Sequence, residues 1–307
     1  MSKEPIKLAR RLGQESSDTA WHRLKADMPE LKMALGSIDA VDAVTVAALI
    51  AEDTRPRCLP HGSGALLILR GVNTEPGADP EDMVSPRLWI DTTKVVTFQV
   101  RHLDAVDVMA REIEAGNGPD SPGEFVVALT DRLTDRMQEV IESVDTALDG
   151  LEDEQSLKPV PMLRKEITEI RRKIVLLRRF IAPQRDALDV LIAETFDWQT
   201  ELQERRLTDI VDRITRLVEQ LDTMQLRASI LQDFVSVRVT ERLNKTMVLL
   251  SIVAGVFLPL SFVAGLFGMN VAGIPLATQP FAFLWISVGL LVVGLGALFL
   301  LLKLWPR

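Results

Sequence analysis

The chain of 307 residues has a single cysteine, Cys58, and three histidines. One cysteine cannot close an intrachain disulfide, which suits a reducing cytosol for the soluble part. The histidines have no evident nucleophile partner, so no catalytic constellation supports an enzyme. No phosphate-binding glycine loop of the Walker type occurs, so nothing resembles a nucleotide site. Positive charge is also short: Lys and Arg number 35 against 43 Asp and Glu, a formal net charge of -8. This argues against nucleic acid as the main partner, because phosphate binding needs a basic face. The segment 1–19 lacks the apolar core of a signal peptide, so membrane insertion is expected from an internal segment.

Charge is missing from two stretches near the C-terminus, 246–267 and 281–302. Each is about 20 residues long, the length that crosses a bilayer core. A charge mid-span costs about 3 kcal/mol, so its absence from both is informative. Arg238, Arg242 and Lys245 precede the first stretch, and Lys303 and Arg307 follow the second. The positive-inside rule then puts both termini in the cytoplasm and the uncharged loop 268–280 outside. The sequence predicts a multi-pass protein of the bacterial inner membrane, with a C-terminal hairpin in contact with lipid.

Glycine and proline are absent from 185–254, while apolar residues recur in steps of three and four: Leu207, Ile210, Ile214, Leu217, Leu221, Met224. This predicts one long helix entering the membrane, with a stalk over 186–245 and partners along its apolar seam. The first 185 residues are expected to form a cytoplasmic α/β domain. Within it, Leu129, Leu133, Met137, Val144 and Leu148 share one helix face, and Leu163, Ile167, Ile170 and Ile174 share another. The link "KPVP" between them predicts an antiparallel helix pair over about 124–181. The segments 65–71, 84–91 and 94–100 read as strands, 42–53 as a helix, and "HGSG" at 61–64 as a hairpin turn. The expected fold is a small sheet between helices, then a long stalk, then a two-helix transmembrane hairpin.

The end of the first span carries Gly268, Met269 and Asn270, followed by "VAGIP". A Gly-Met-Asn at the outer end of the first of two spans, after a very long helix, resembles the CorA superfamily of divalent-cation transporters. "GMNVAGIP", "GALLILRGVN" and "LRRFIAPQRDAL" are similar to its ZntB-type zinc-transporter branch, and the likeness runs from about Trp21 to the C-terminus. Branch members carry a further strand pair ahead of the segment matching "WHRLKADMPEL"; only about 20 polar residues stand there in this chain, so the first part of the sheet is expected to be missing or rebuilt.

The resemblance implies a homopentamer that moves Zn2+, with no resident cofactor, and import coupled to protons. Mg2+, Co2+ or Ni2+ is the alternative cargo, and a membrane-anchored coiled-coil sensor or scaffold is the alternative from another class. It further implies a ring of Asn270 amides at the outer pore mouth, beside Met269 and Gly268. An amide offers an acceptor and donors, so it can hold the water shell of an ion without adding charge. Gly268 suits a positive-φ or closely packed helix end. Counting back from the helix end beside Asn270, the residues Gly265, Ser261, Leu258, Ala254, Ser251, Met247 and Asn244 follow in steps of three and four along one helix face. The serines and Asn244 could contact water, Leu258 and Met247 could gate by dewetting, and the small residues equally serve helix packing. Neither span contains His, Cys, Asp or Glu, so no ligand set for a dehydrated zinc exists there and the ion is expected to pass at least partly hydrated.

In the soluble part, Cys58 with His61, and His102 with Asp104, have spacings that could pair metal donors, although surface and turn positions are the commoner meaning. The acidic run 145–154 could act as a cation funnel or as a solvated helix face. The basic clusters 171–173 and 178–179 are expected in intersubunit or intrahelical ion pairs.

Overall fold

The computed structural model describes residues 6–7, 20–25, 43–51, 55–269 and 279–303. It divides into two compact units, Met1–Gln232 and Asp233–Arg307.

The first unit is built on a sheet of order β1-β2-β6-β5-β4-β3. Its strands are β1 (Ile6–Lys7), β2 (Ala20–Lys25), β3 (Arg57–His61), β4 (Gly64–Ile68), β5 (Arg87–Ile90) and β6 (Lys94–Gln99). β2 runs parallel to β6, and the remaining pairs are antiparallel. The strands expected near 65–71, 84–91 and 94–100 are present, and the turn at 61–64 joins β3 to β4 with His61 opposite Gly64. The segment ahead of the expected strands is not empty: β1 pairs with β2, and Trp21 of β2 is fully buried. Trp21 and Leu24, three residues apart on β2, are buried on opposite faces of the sheet, so the strand lacks the one-sided alternation that would have marked it in the sequence.

One face of the sheet packs Leu66, Ile68, Trp89, Val96 and Phe98 against Leu49 of α1 (Ala43–Ile50). On the other face Trp21 meets Phe125 of the helical layer edge to face at 4.9 Å, and its Nε1 donates to Thr97 Oγ1 at 2.9 Å. The β5–β6 turn is tied by Asp91, 4% exposed, which accepts from Trp89 Nε1 at 3.0 Å and from the Thr93 and Lys94 amides.

The helices are α2 (Asp104–Glu114), α3 (Pro122–Glu154) and α4 (Val160–Ala193), followed by α5 (Glu201–Phe267), which begins in the first unit and ends in the second. Ser121 caps α3 by accepting from the Glu124 amide at 3.2 Å, with Pro122 in the first turn. α3 and α4 form the expected helix pair, linked at 155–159. The stalk expected over 186–245 is divided: α4 runs on to Ala193 and α5 starts at Glu201. No glycine or proline makes this elbow. Phe196 and Trp198 leave the helical path to stack at 5.0 Å in buried positions. Thr200 and Gln203 then open α5 reciprocally, the Thr200 amide donating to Gln203 Oε1 at 3.0 Å and the Gln203 amide to Thr200 Oγ1 at 3.4 Å.

Within the first unit α5 runs parallel to α3. Arg206 pairs with Glu124, Arg213 with Asp131 and Arg227 with Asp145, each at a sequence separation of 82. The second unit holds the remainder of α5 and α6 (Ala282–Lys303). α5 is long and apolar enough to cross a membrane, and α6 contains a shorter apolar stretch, Phe283–Phe299.

Candidate ion pathway

On the apolar part of α5 the least exposed positions are Ile252, Val256, Leu260 and Val263. On α6 they are Ile286, Leu290, Gly294 and Ala297. Steps of three and four make each set a single stripe. The two meet where Leu260 Cδ1 lies 3.0 Å from where a Cβ on Gly294 would stand, so that glycine keeps the helices close. At about 100° per residue, the predicted stripe from Asn244 to Gly265 sits roughly 160° around α5 from this seam. Asn244, Met247, Ser251, Ala254, Leu258, Ser261 and Gly265 are all exposed, Met247 at 61% and Leu258 at 69%. The small and polar face of the helix is therefore the face its own hairpin partner leaves open. Ser251 Oγ donates back to Met247 O at 2.9 Å, which keeps the hydroxyl satisfied while its lone pairs stay available.

At the helix end Gly268 N bonds to Ala264 O at 3.0 Å and Met269 N to Leu266 O at 3.4 Å. The left-handed glycines among the described residues are Gly62, Gly77 and Gly116, so Gly268 ends α5 by close packing instead. A Cβ there would stand 3.2 Å from Ala264 O. Met269 is 49% exposed, and Asn270 lies outside the described residues.

The soluble metal candidates are not brought together. Cys58 and His61 both lie on β3, where an odd separation sends them to opposite faces. Cys58 is buried, and that burial, with the nearby Glu194 charge, pushes its thiol up to about 12. A protonated thiol is neither a ligand nor a nucleophile. His61 is exposed against the Trp89 ring at 6.1 Å. His102 turns to Asp107, with Nδ1 2.9 Å from Oδ2, and Arg23 holds the same carboxylate. Asp104 instead lies 3.6 Å from Arg136. Among the described residues, no group of three or more His, Cys, Asp and Glu is placed to hold a metal.

The charged runs have interhelical partners within one chain. Arg227 gathers Asp145, Asp149 and Glu152, and Lys158 takes Glu154, so much of the acidic run is engaged in helix packing. These carboxylates, Glu152 foremost by its hydrogen bond, hold the Arg227 proton more firmly than in a free guanidinium. The basic clusters do likewise across α4 and α5, where Arg171 donates to Gln232 and Arg178 pairs with Asp222, while Arg179 lies over its neighbour Phe180 on α4 itself. The seven-residue spacing of Arg206 and Arg213 was a readable sign of this ladder.

The family profile described as CorA-like Mg2+ transporter protein matches residues 16–303. The chain belongs to this family. Its relatives include the divalent cation transporter CmaX of Pseudomonas aeruginosa, 38% identical over 282 residues that cover 91% of this chain and 84% of CmaX. The zinc transport protein ZntB of Pectobacterium atrosepticum is 32% identical over 278 residues, covering 91% and 85%. The structure of full-length CmaX superposes with a TM-score of 0.79 at 35% identity, covering 98% of this chain and 91% of that one. The CorA magnesium transporter of Methanocaldococcus jannaschii, 16% identical, shares the fold at a TM-score of 0.80 and covers 95% and 92%. The CorA-like architecture expected from the sequence, and the transporter class, stand on these matches.

Proposed function

We propose that this protein is a Zn2+ transporter of the bacterial inner membrane that works as a homopentamer, with α5 lining the pore and Asn270 at its outer mouth. The observation that carries the reading is the open face of α5. A small and polar stripe on the side away from α6 gains nothing from lipid, which offers the serine hydroxyls no partner beyond their own helix. Copies of the same stripe around an axis supply a water-filled path. Asn244 stands at the inner end and Asn270 at the outer. Leu258 and Met247 form apolar rings that close by dewetting. A hydrated divalent ion passes such a wall through its own water shell, which explains why the described part of the path offers no thiolate or imidazole.

The zinc preference is supported by the ZntB relatives, and the CmaX match supports a divalent cation more broadly. The deciding measurement is flux of Zn2+ and Mg2+ into liposomes holding the purified protein, with Asn270→Ala alongside and with pH and voltage set independently. Wild type should move Zn2+ faster than Mg2+, and the variant should lose most of that flux. Equal movement of both ions by both proteins, or none by either, sinks the reading. A proton gradient that changes zinc flux at fixed voltage would establish coupling.

A further inference from the structure

Buried positions on α5 step by three and four residues, Leu207, Ile210, Ile214, Leu217, Leu221 and Met224, and those on α4 do the same from Leu163 to Ile181. Such a seam presents nearly the same apolar surface after a shift of half a heptad, in which the two alternating core positions exchange. The ion pairs of α3 and α5 share that repeat. Besides their partners at a separation of 82, Arg213 reaches Asp135 and Arg227 reaches Asp149 at 78, and Arg227 also reaches Glu152 at 75. Move α5 by half a heptad, about 5 Å, toward the C-terminal end of α3. Asp131 then comes within reach of Arg206, Asp135 stays with Arg213, and Asp149 and Glu152 stay with Arg227. Of the α3 carboxylates only Glu124 and Asp145 lose their arginine, and on α4 the slide also carries Asp222 away from Arg178.

The elbow does not repeat. Gln203 Nε2 donates to Ser121 Oγ at 3.2 Å, and the turn is pressed onto Gly123 so closely that a Cβ there would lie 2.0 Å from Gln203 Oε1 and 2.9 Å from Trp198 O. This contact exists in one register alone. It is also imperfectly satisfied, because Trp198 Nε1 and both amide atoms of Gln199 are buried without a hydrogen-bond partner. Buried unpaired groups raise the energy of the arrangement that holds them.

We propose that α5 has two registers on α3, half a heptad apart, and that the elbow packed on Gly123 holds the one seen here. α5 continues as one helix to Phe267, so a change of register is handed on to the stripe assigned to the pore. That last link rests on the proposed function; the two registers do not.

Spin labels at Thr146→Cys on α3 and Arg205→Cys on α5, in full-length Cys58→Ser protein in liposomes, read the register as a distance by pulsed electron resonance. The expected result is a second population shorter by about 5 Å, several-fold enriched in Gly123→Ala. Asp145→Asn removes a carboxylate used only in the observed register without touching the elbow, and it should enrich the same population if Gly123→Ala does not fold. A single unshifted distance in the parent protein and in every variant that folds overturns the proposal. Zn2+ flux is measured on the same liposomes. A register shift with unchanged flux overturns the link to the pore, and a parent without flux refutes the transport reading while the distances still judge the registers.

Discussion

Asp91 shows what one side chain carries in this fold. Its carboxylate serves the Trp89 indole and two turn amides in a site 4% exposed, so Asp91→Ala leaves buried donors unpaired. The expected cost is about 2–3 kcal/mol, read as a lowered thermal midpoint of the detergent-solubilised protein. Cys58 gives a pH prediction. Its folded thiol, near 12, is raised from the ordinary value of 9.0, so the folded state holds the proton more tightly. Its contribution to stability is complete below 9.0 and is lost as pH rises from there toward 12. Iodoacetamide at pH 8 should accordingly leave folded protein unlabelled and report unfolding instead; prompt labelling of native protein would refute the burial. The residue scale also shows a limit of spacing as evidence. Cys58 and His61 look like a donor pair in the sequence, and the two-residue period of β3 separates them.

Among the elements, α5 joins two environments. In the soluble unit its contacts with α3 are charged, and Arg227 answers three carboxylates. Arg227→Ala leaves those like charges facing one another and is expected to cost about 1 kcal/mol, measurable by thermal denaturation. Arg227→Lys should recover only part, since an ammonium cannot match the fork of the guanidinium. Farther along, Leu258 is 69% exposed on the face opposite the seam with α6. If that face is the pore, Leu258→Asn wets the constriction and raises basal cation flux, whereas Val253→Ala, about 140° around the helix from Leu258, leaves it near the parent level. Equal effects of the two substitutions would contradict the assignment. The helix periodicity of α3, α4 and α5 was legible because each buries one stripe. The elbow was not, because Thr200 and Gln203 are a start signal lying inside a run that contains no breaker.

For the whole molecule the prediction is assembly. Native mass spectrometry in detergent should give five times the chain mass, and a monomer or dimer as the main species would remove the basis for an Asn270 ring. If the stripe lines a pore, a single copy is insufficient, because one helix face is not a conduit and only cyclic repetition surrounds an ion. In the first unit the clustered charges are largely engaged between its own helices.

The sequence by itself carried the class of this protein, through its resemblance to a known superfamily. Two charge-free runs of bilayer length, a Gly-Met-Asn after a long helix and heptad spacing upstream are local features, and local features survive in a linear string. Tertiary structure decided the relations between distant residues. It showed that Trp21 belongs to a strand beside β6, that the acidic run is engaged by Arg227, and that the stripe from Asn244 to Gly265 lies on the side of α5 that α6 leaves uncovered. The physical reason is that burial and ion pairing depend on which segments meet in space, and periodicity states only which face of a segment is free to meet anything.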